Sequence, residues 1–275
     1  MEQDLRKLLA EYKISFKKAF GQNFLSDTEL LSDIVDSAGV TKNDTVIEIG
    51  CGAGTLTRQL ALRAKRVIGY EIDNSLKPLL NDTLKDFSNV KIIYKDIMKE
   101  SLESLEKEIG ESYMVVANLP YYITTPIVMR FLEQSKHLKS MSVMVQEEVA
   151  KRFSASPSSS DYGAITVGIN LRGSAKIIKY VPREKFTPAP NVDSAVVQIT
   201  MDNSKFMDVN LDKVRDVVRV AFSSRRKMLV NNIMNFFKLK RCEAEEILKK
   251  AGVSLTCRGE NLSVDDFVRL SKAIK

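Results

Sequence analysis

Asn118, Pro120 and Tyr121 follow directly on an apolar run, in YMVVANLPYY (113–122), and few chemistries would use such a set. The side-chain amide oxygen of Asn118 and the backbone carbonyl of Leu119 make two acceptors for the two N–H bonds of an exocyclic amine. Adenine needs such help, because its amino lone pair is delocalised into the ring. Fixing both hydrogens turns the lone pair toward an incoming group, which is mainly a gain from positioning. Pro120 has a fixed φ and no N–H to compete, so it stiffens the carbonyl presentation. Tyr121 supplies a face on which a base swung out of its nucleic acid can stack. The plainer reading is a proline-terminated strand followed by two core tyrosines.

Such a clamp needs a rigid frame, and the surrounding pattern supplies one. TVIEIG (45–50), RVIGYEID (66–73), VKIIYKD (90–96), YMVVAN (113–118) and SVMVQ (142–146) read as strands. Between them lie the helical LTRQLALRAK, the helical NSLKPLLNDTLKD and a helix expected from Pro126 to Gln134. Strands and helices alternating in this way predict βαβ units and a parallel sheet. AKIIKYVP and SAVVQITM read as two further strands, joined by REKFTPAPNVD. Ligands of open parallel sheets bind at the carboxyl ends of the strands. Those ends carry Gly50, Glu71, Asp96 and Asn118, separated by 21, 25 and 22 residues, about one βα unit each.

GCGAG, with Gly50, Gly52 and Gly54, lets the backbone turn tightly and approach a ligand, since glycine has no Cβ. The dinucleotide fingerprint would need glycine at position 55, where Thr55 stands. Glu71 can accept hydrogen bonds from both hydroxyls of a ribose, a feature shared by NAD and S-adenosylmethionine sites. Asp96 suits an adenine amino group. The amine clamp after the fourth strand decides between these cofactors. It serves a methyltransferase acting on an amine, whereas an NAD enzyme has no particular use for it.

The chain has 275 residues, enough for one large domain and a small one. It is 44% hydrophobic and 28% charged, as in ordinary globular proteins. No apolar run approaches the ~20 residues of a membrane-spanning helix. The charged N-terminus lacks a signal-peptide core, so a cytoplasmic protein is expected. Cys51, Cys242 and Cys257 stand far apart without metal-like spacing, and the single histidine, His137, lies in a polar connector and reads as a solvated surface residue. A structural zinc site or disulfide framework is therefore not expected.

From about Lys205 the pattern turns helical, which predicts a boundary between domains 1–204 and 205–275. Residues 205–275 hold sixteen Lys and Arg against nine Asp and Glu, while residues 1–204 hold equal numbers, so the whole excess lies in the C-terminal quarter. Such a surplus suits a polyanionic partner or a merely solvated surface. A helical reading of AFSSRRKMLVNNI places Arg225, Arg226 and Lys227 over more than half a helix circumference, as candidate RNA-binding residues. Ser263 and Asp266 have the spacing of a capping box. SASPSSSDYG (154–163) reads as a mobile loop, either a tolerated insertion or a lid.

FGQNFLSD, VIEIGCGAGTLT, VIGYEID, KDIM, NLPYYITTPI, QEEVAKR and FTPAPNVDSAVV together resemble the ribosomal RNA adenine dimethyltransferases of the KsgA type. The resemblance runs from about Phe16 to the C-terminus. It implies an α/β fold of the Rossmann-like class I S-adenosylmethionine-dependent type, with a mostly parallel seven-stranded sheet and a small C-terminal all-helical domain. It implies two methyl groups added to N6 of each of two adjacent adenosines near the 3′ end of small-subunit (16S) ribosomal RNA, late in subunit assembly. The partner would be the immature small subunit, bound by a monomer with no metal and no membrane. The implied cofactor residues are Gln22, Asn23, Leu25, Gly50, Gly52, Glu71, Ile72, Asp96, Ile97 and Asn118. The target base would meet Asn118, Leu119, Pro120 and Tyr121, with Phe186 of FTPAP as a second aromatic wall. Cys51 stands where many members carry Pro, and Tyr122 where many carry Asn. A macrolide-resistance enzyme acting on large-subunit RNA and a non-catalytic assembly factor are the alternatives.

Overall fold

The computed structural model describes residues 7, 10–12, 14, 23–202 and 204–274. Its strands are β1 (Phe24–Leu25), β2 (Thr45–Ile49), β3 (Arg66–Glu71), β4 (Val90–Tyr94), β5 (Tyr113–Asn118), β6 (Leu138–Gln146), β7 (Gly173–Val181), β8 (Phe186–Thr187) and β9 (Ser194–Met201). Its helices are α1 (Thr28–Ser37), α2 (Thr55–Arg63), α3 (Lys77–Thr83), α4 (Leu102–Ile109), α5 (Tyr121–Gln134), α6 (Glu147–Phe153), α7 (Ala164–Asn170), α8 (Leu211–Phe222), α9 (Leu229–Phe237), α10 (Arg241–Lys250) and α11 (Val264–Ala273).

Seven strands make one sheet in the order β4–β3–β2–β5–β6–β9–β7, and β1 pairs separately with β8. The pairs β3–β4, β2–β3, β2–β5 and β5–β6 are parallel, and β9 runs antiparallel to β6. The expected strands are all present, and their β-branched runs explain them: every residue of β2 is buried, as a central strand covered on both faces requires. At β2 the order reverses, with β3 on one side and β5 on the other. Strand-end loops diverge at such a switch point and leave a crevice between them.

α5 begins at Tyr121, five residues earlier than expected, with Pro126 inside it. The ring removes one donor, but buried Thr124, Ile127, Val128, Phe131 and Leu132 hold the helix across it. His137 is exposed. The free thiols are buried Cys51, half-buried Cys257 and exposed Cys242. Among the described residues no helix is long and apolar enough to cross a membrane, and no group of three His, Cys, Asp or Glu side chains could hold a metal.

The chain divides into two compact units, Met1–Ala150 with Lys176–Met201, and Lys151–Ala175 with Asp202–Lys275. The expected boundary at 204/205 misses the segment 151–175. Tyr162, Val167 and Leu171 of that segment are buried in one apolar cluster with Val217, Leu229, Ile233, Leu248 and Phe267. The Ser-rich stretch is likewise not loose. Tyr162 is fully buried and donates its hydroxyl to the Leu262 carbonyl (2.8 Å), and Ser158 N donates to the Glu260 carbonyl (2.8 Å). A single buried phenol outweighs the surrounding serines.

Candidate active site

The carboxyl ends of β2, β3 and β5, with the loop after β4, line one cleft. Its walls include Asn23, Leu25, Gly50, Gly52, Glu71, Ile72, Asp96, Ile97, Asn118, Leu119, Pro120 and Tyr121, so nearly all the residues expected from the sequence meet there. Gln22 lies outside the described residues.

The glycine loop works as its residue type requires. Gly50 and Gly52 have φ of +78° and +55°, values that side chains other than glycine adopt only with strain. A Cβ on Gly52 would come within 2.9 Å of the Phe24 ring. Phe24 thus covers the loop, a contact that sequence reading missed although Phe24 stands between Asn23 and Leu25. The strap carrying it is laced down at both ends. Thr55 donates its hydroxyl to the Leu25 carbonyl (2.7 Å), and the Asn118 side-chain amide donates to the Asn23 carbonyl (3.3 Å).

That last bond sets the polarity of the clamp. A carbonyl only accepts, so it takes the amide nitrogen of Asn118 and leaves the amide oxygen free to serve as an acceptor. Behind it, Leu119 is buried and Pro120 is extended at φ −55° before α5 begins. Tyr121 is held by a hydrogen bond between its hydroxyl and Ser194 on β9 (2.7 Å). Burial raises the phenol's pKa, and the Ser194 bond partly opposes this. The ring is therefore a neutral, fixed face.

Glu71 is nearly fully buried. One carboxylate oxygen accepts from Gly52 N (2.9 Å) and the other from Asp73 N (2.8 Å). Burial raises its pKa, against the lowering effect of these backbone bonds. Each oxygen keeps a second lone pair, so a diol can still be bound. Asp96 spends one oxygen on Met98 N (2.9 Å), which starts a short 3₁₀ turn.

Glu48, in the middle of the apolar TVIEI, also lines the cleft and was missed. It is 0% exposed, and neither oxygen has a hydrogen-bond partner. Burial pushes its pKa up to about 8, with Glu71 raising it further while Thr57 and Cys51 lower it. Thr57 and Cys51 lie close by without forming a bond, and the Thr57 hydroxyl is itself unpartnered. The signal in the sequence was an acid inside a strand whose other members are buried.

Two expectations need correction in their geometry. Phe186 is 3% exposed and does not stand among the cleft-lining residues. In β8 it pairs with Leu25, and its ring joins the apolar cluster of Leu25, Leu31, Val116 and Met144. Arg225, Arg226 and Lys227 are not on a helix, since α8 ends at Phe222 and α9 starts at Leu229. Buried Asn232 donates to the Ala221 carbonyl (3.0 Å) and the Ser224 carbonyl (3.3 Å), which a continuing helix would need for itself. Arg225 is tied to the Ser160 and Tyr162 carbonyls and to Glu260, whereas Arg226 and Lys227 are exposed.

A parallel sheet with a glycine loop, an acid at the next strand end and an amide-proline-tyrosine sequence at the fourth defines a methyltransferase of the doubly wound class. The chain belongs to the family described as ribosomal RNA adenine dimethylase, whose profile matches residues 13–275. It is 44% identical to the ribosomal RNA small subunit methyltransferase A of Bacillus pumilus, over 98% of this chain and 95% of that one. It is 40% identical to the protein of the same name from Clostridioides difficile, over 98% and 94%. Among solved structures, a dimethyladenosine transferase from Plasmodium falciparum superposes with a TM-score of 0.77 at 25% identity, covering 90% of this chain and 95% of that one. The 23S rRNA methyltransferase ErmE gives 0.72 at 26% identity, covering 92% and 99%.

Proposed function

We propose that this protein dimethylates N6 of two adjacent adenosines near the 3′ end of small-subunit ribosomal RNA, using S-adenosylmethionine, during late assembly of the subunit. The observation that carries this reading is the oriented Asn118 amide, its nitrogen committed to Asn23 and its oxygen left to accept, beside the fixed Tyr121 face.

The cofactor supplies a methyl group already activated on a sulfonium, so neither a covalent enzyme intermediate nor a metal is called for. The residues fit it: Gly50 and Gly52 admit close backbone approach, Glu71 has lone pairs left for a ribose, and Ile72 and Ile97 offer apolar walls. Asn118 and the Leu119 carbonyl hold the amine hydrogens, which turns the nitrogen lone pair out of conjugation and into the cleft. Tyr121 stacks on the base. After one methylation a single N–H remains, and one acceptor suffices to orient it.

The second compact unit is the part suited to the ribosomal particle, with nineteen Lys and Arg against eleven Asp and Glu. Arg226 and Lys227 are its candidates for phosphate contact, and Arg225 serves the fold. The large-subunit enzyme shares the architecture, yet the curated relatives at 40–44% identity carry the small-subunit name. The test is transfer of labelled methyl groups to unmodified small and large subunits in parallel. Label confined to the small subunit supports the proposal, and label confined to the large one refutes it.

A further inference from the structure

Seven large apolar side chains are strongly exposed among the described residues, and two of them, Ile72 and Tyr122, line the cleft. Ile72 belongs with the cofactor wall after Glu71. Tyr122 has no such assignment, although it is 65% exposed. The hydroxyls of Tyr113, Tyr121 and Tyr162 are all hydrogen-bonded, whereas Tyr122 makes no hydrogen bond and no ring contact among the described residues. Its ring is an aromatic face on the cleft lip that the fold does not use.

Helix geometry explains how it comes to stand there. Tyr121 and Tyr122 are the first two residues of α5, so their side chains diverge by about 100°. Tyr121 is turned to Ser194 of β9 and half-buried. Tyr122 is thereby left facing outward from the same cleft. The site presents an inner ring that is fixed and an outer ring that is open.

We infer that Tyr122 is the stacking platform for the nucleotide next to the adenosine held in the cleft. This rests on the function proposed above. A base drawn out of its strand loses its stacking neighbours, and its covalently attached neighbour loses one face as well. An aromatic ring at the lip restores that face, and stacking tolerates any base because each has a π-surface. Tolerance matters for a substrate with two adjacent adenosines. When the second enters the cleft the strand shifts by one nucleotide, and a different base must use the same platform.

The test uses unmodified small subunits and the variants Tyr122→Ala and Tyr122→Phe. Because the ring is exposed and unbonded, neither change should lower the thermal midpoint, and that is checked first. Tyr122→Ala is expected to raise the half-saturating subunit concentration roughly fivefold or more, the low end of stacking on one base. Cofactor affinity should stay as in wild type, and Tyr122→Phe should behave as wild type throughout. A second arm uses RNA oligonucleotides of the target region with 2-aminopurine on either side of the target adenosine. Wild type and Tyr122→Phe should quench one of them, and Tyr122→Ala should not. Wild-type saturation by Tyr122→Ala, or equal loss in both variants, overturns the inference. If wild type transfers no methyl group to the small subunit, the proposed function has failed instead.

Discussion

Among the buried carboxyl groups of the sheet unit, two that lie near opposite ends of its central strands are treated in opposite ways. Glu106 on α4 lies beside the start of β5. It accepts from Tyr113 OH (3.0 Å), Ser135 Oγ (2.5 Å), Lys136 N (3.0 Å) and His137 N (3.1 Å). Burial works to raise its pKa, yet these bonds prevail and hold it below the usual range. Glu48, near the carboxyl end of β2, is also hidden and has no bond at all. One end of the sheet is closed and satisfied, as a structural end should be. The other carries an orphaned acid, glycines at positive φ and an unused aromatic face. Groups left unsatisfied in this way are expected where a ligand completes the structure.

The satisfied end should give the largest effect. Glu106→Ala deprives the Lys136 and His137 backbone donors of their acceptor. It also leaves the Tyr113 and Ser135 hydroxyls only each other, so one of their two protons is unpaired, at a cost of about 3 kcal/mol or more in all. For a chain of this size that is roughly 10 °C in thermal midpoint. Cofactor affinity below that midpoint should be unchanged. The sign with pH follows from the lowered pKa. Glu106 contributes stability above the unfolded value near 4.5 and loses it as pH falls through the folded one, so wild type should lose its advantage over Glu106→Gln in acid.

Glu48 should behave in reverse. Its pKa is raised from 4.5 to about 8, so its contribution is complete below the unfolded value and declines as pH climbs to 8. Each pH unit in that window is worth about 1.4 kcal/mol. In the cofactor-free protein, Glu48→Gln should gain several degrees on wild type between pH 5 and pH 8. A constant difference across those pH values would mean that Glu48 is already ionised and partnered.

Glu71→Ala should weaken S-adenosylmethionine binding by about 1.5–3 kcal/mol, at least tenfold by calorimetry, with subunit binding retained. An unaltered affinity would remove the ribose assignment. The smallest effect belongs to the exposed pair in the second unit. Replacing Arg226 and Lys227 by Ala should flatten the log–log salt dependence of subunit binding by about 0.7–0.9 for each phosphate no longer neutralised. An unchanged slope would make them merely solvated.

How much of this the sequence revealed depended on range. The strands and their polar ends were legible, because period, β-branching and regular spacing are local properties. The cleft residues from Asn23 to Tyr121 followed from that spacing and from the family resemblance. What depended on distant partners was not legible. Phe186 is drawn into the core by pairing with Leu25, far earlier in the chain. The Arg225–Lys227 segment leaves the helix because Asn232 takes the Ala221 and Ser224 carbonyls that precede it. Residues 151–175 join the helical unit through Tyr162 and Val167. Glu48 is orphaned by an environment that no single strand pattern contains.

What stands or falls with Asn118 is the orientation of an adenine amine at the open end of the sheet. The decisive measurement is mass spectrometry of small-subunit RNA, after incubation of unmodified particles with enzyme and S-adenosylmethionine. Wild type should give N6,N6-dimethyladenosine at two adjacent positions near the 3′ end, and Asn118→Ala should slow its appearance about a hundredfold. Dimethyladenosine formed at the wild-type rate by Asn118→Ala, or found only in large-subunit RNA, would contradict this assignment.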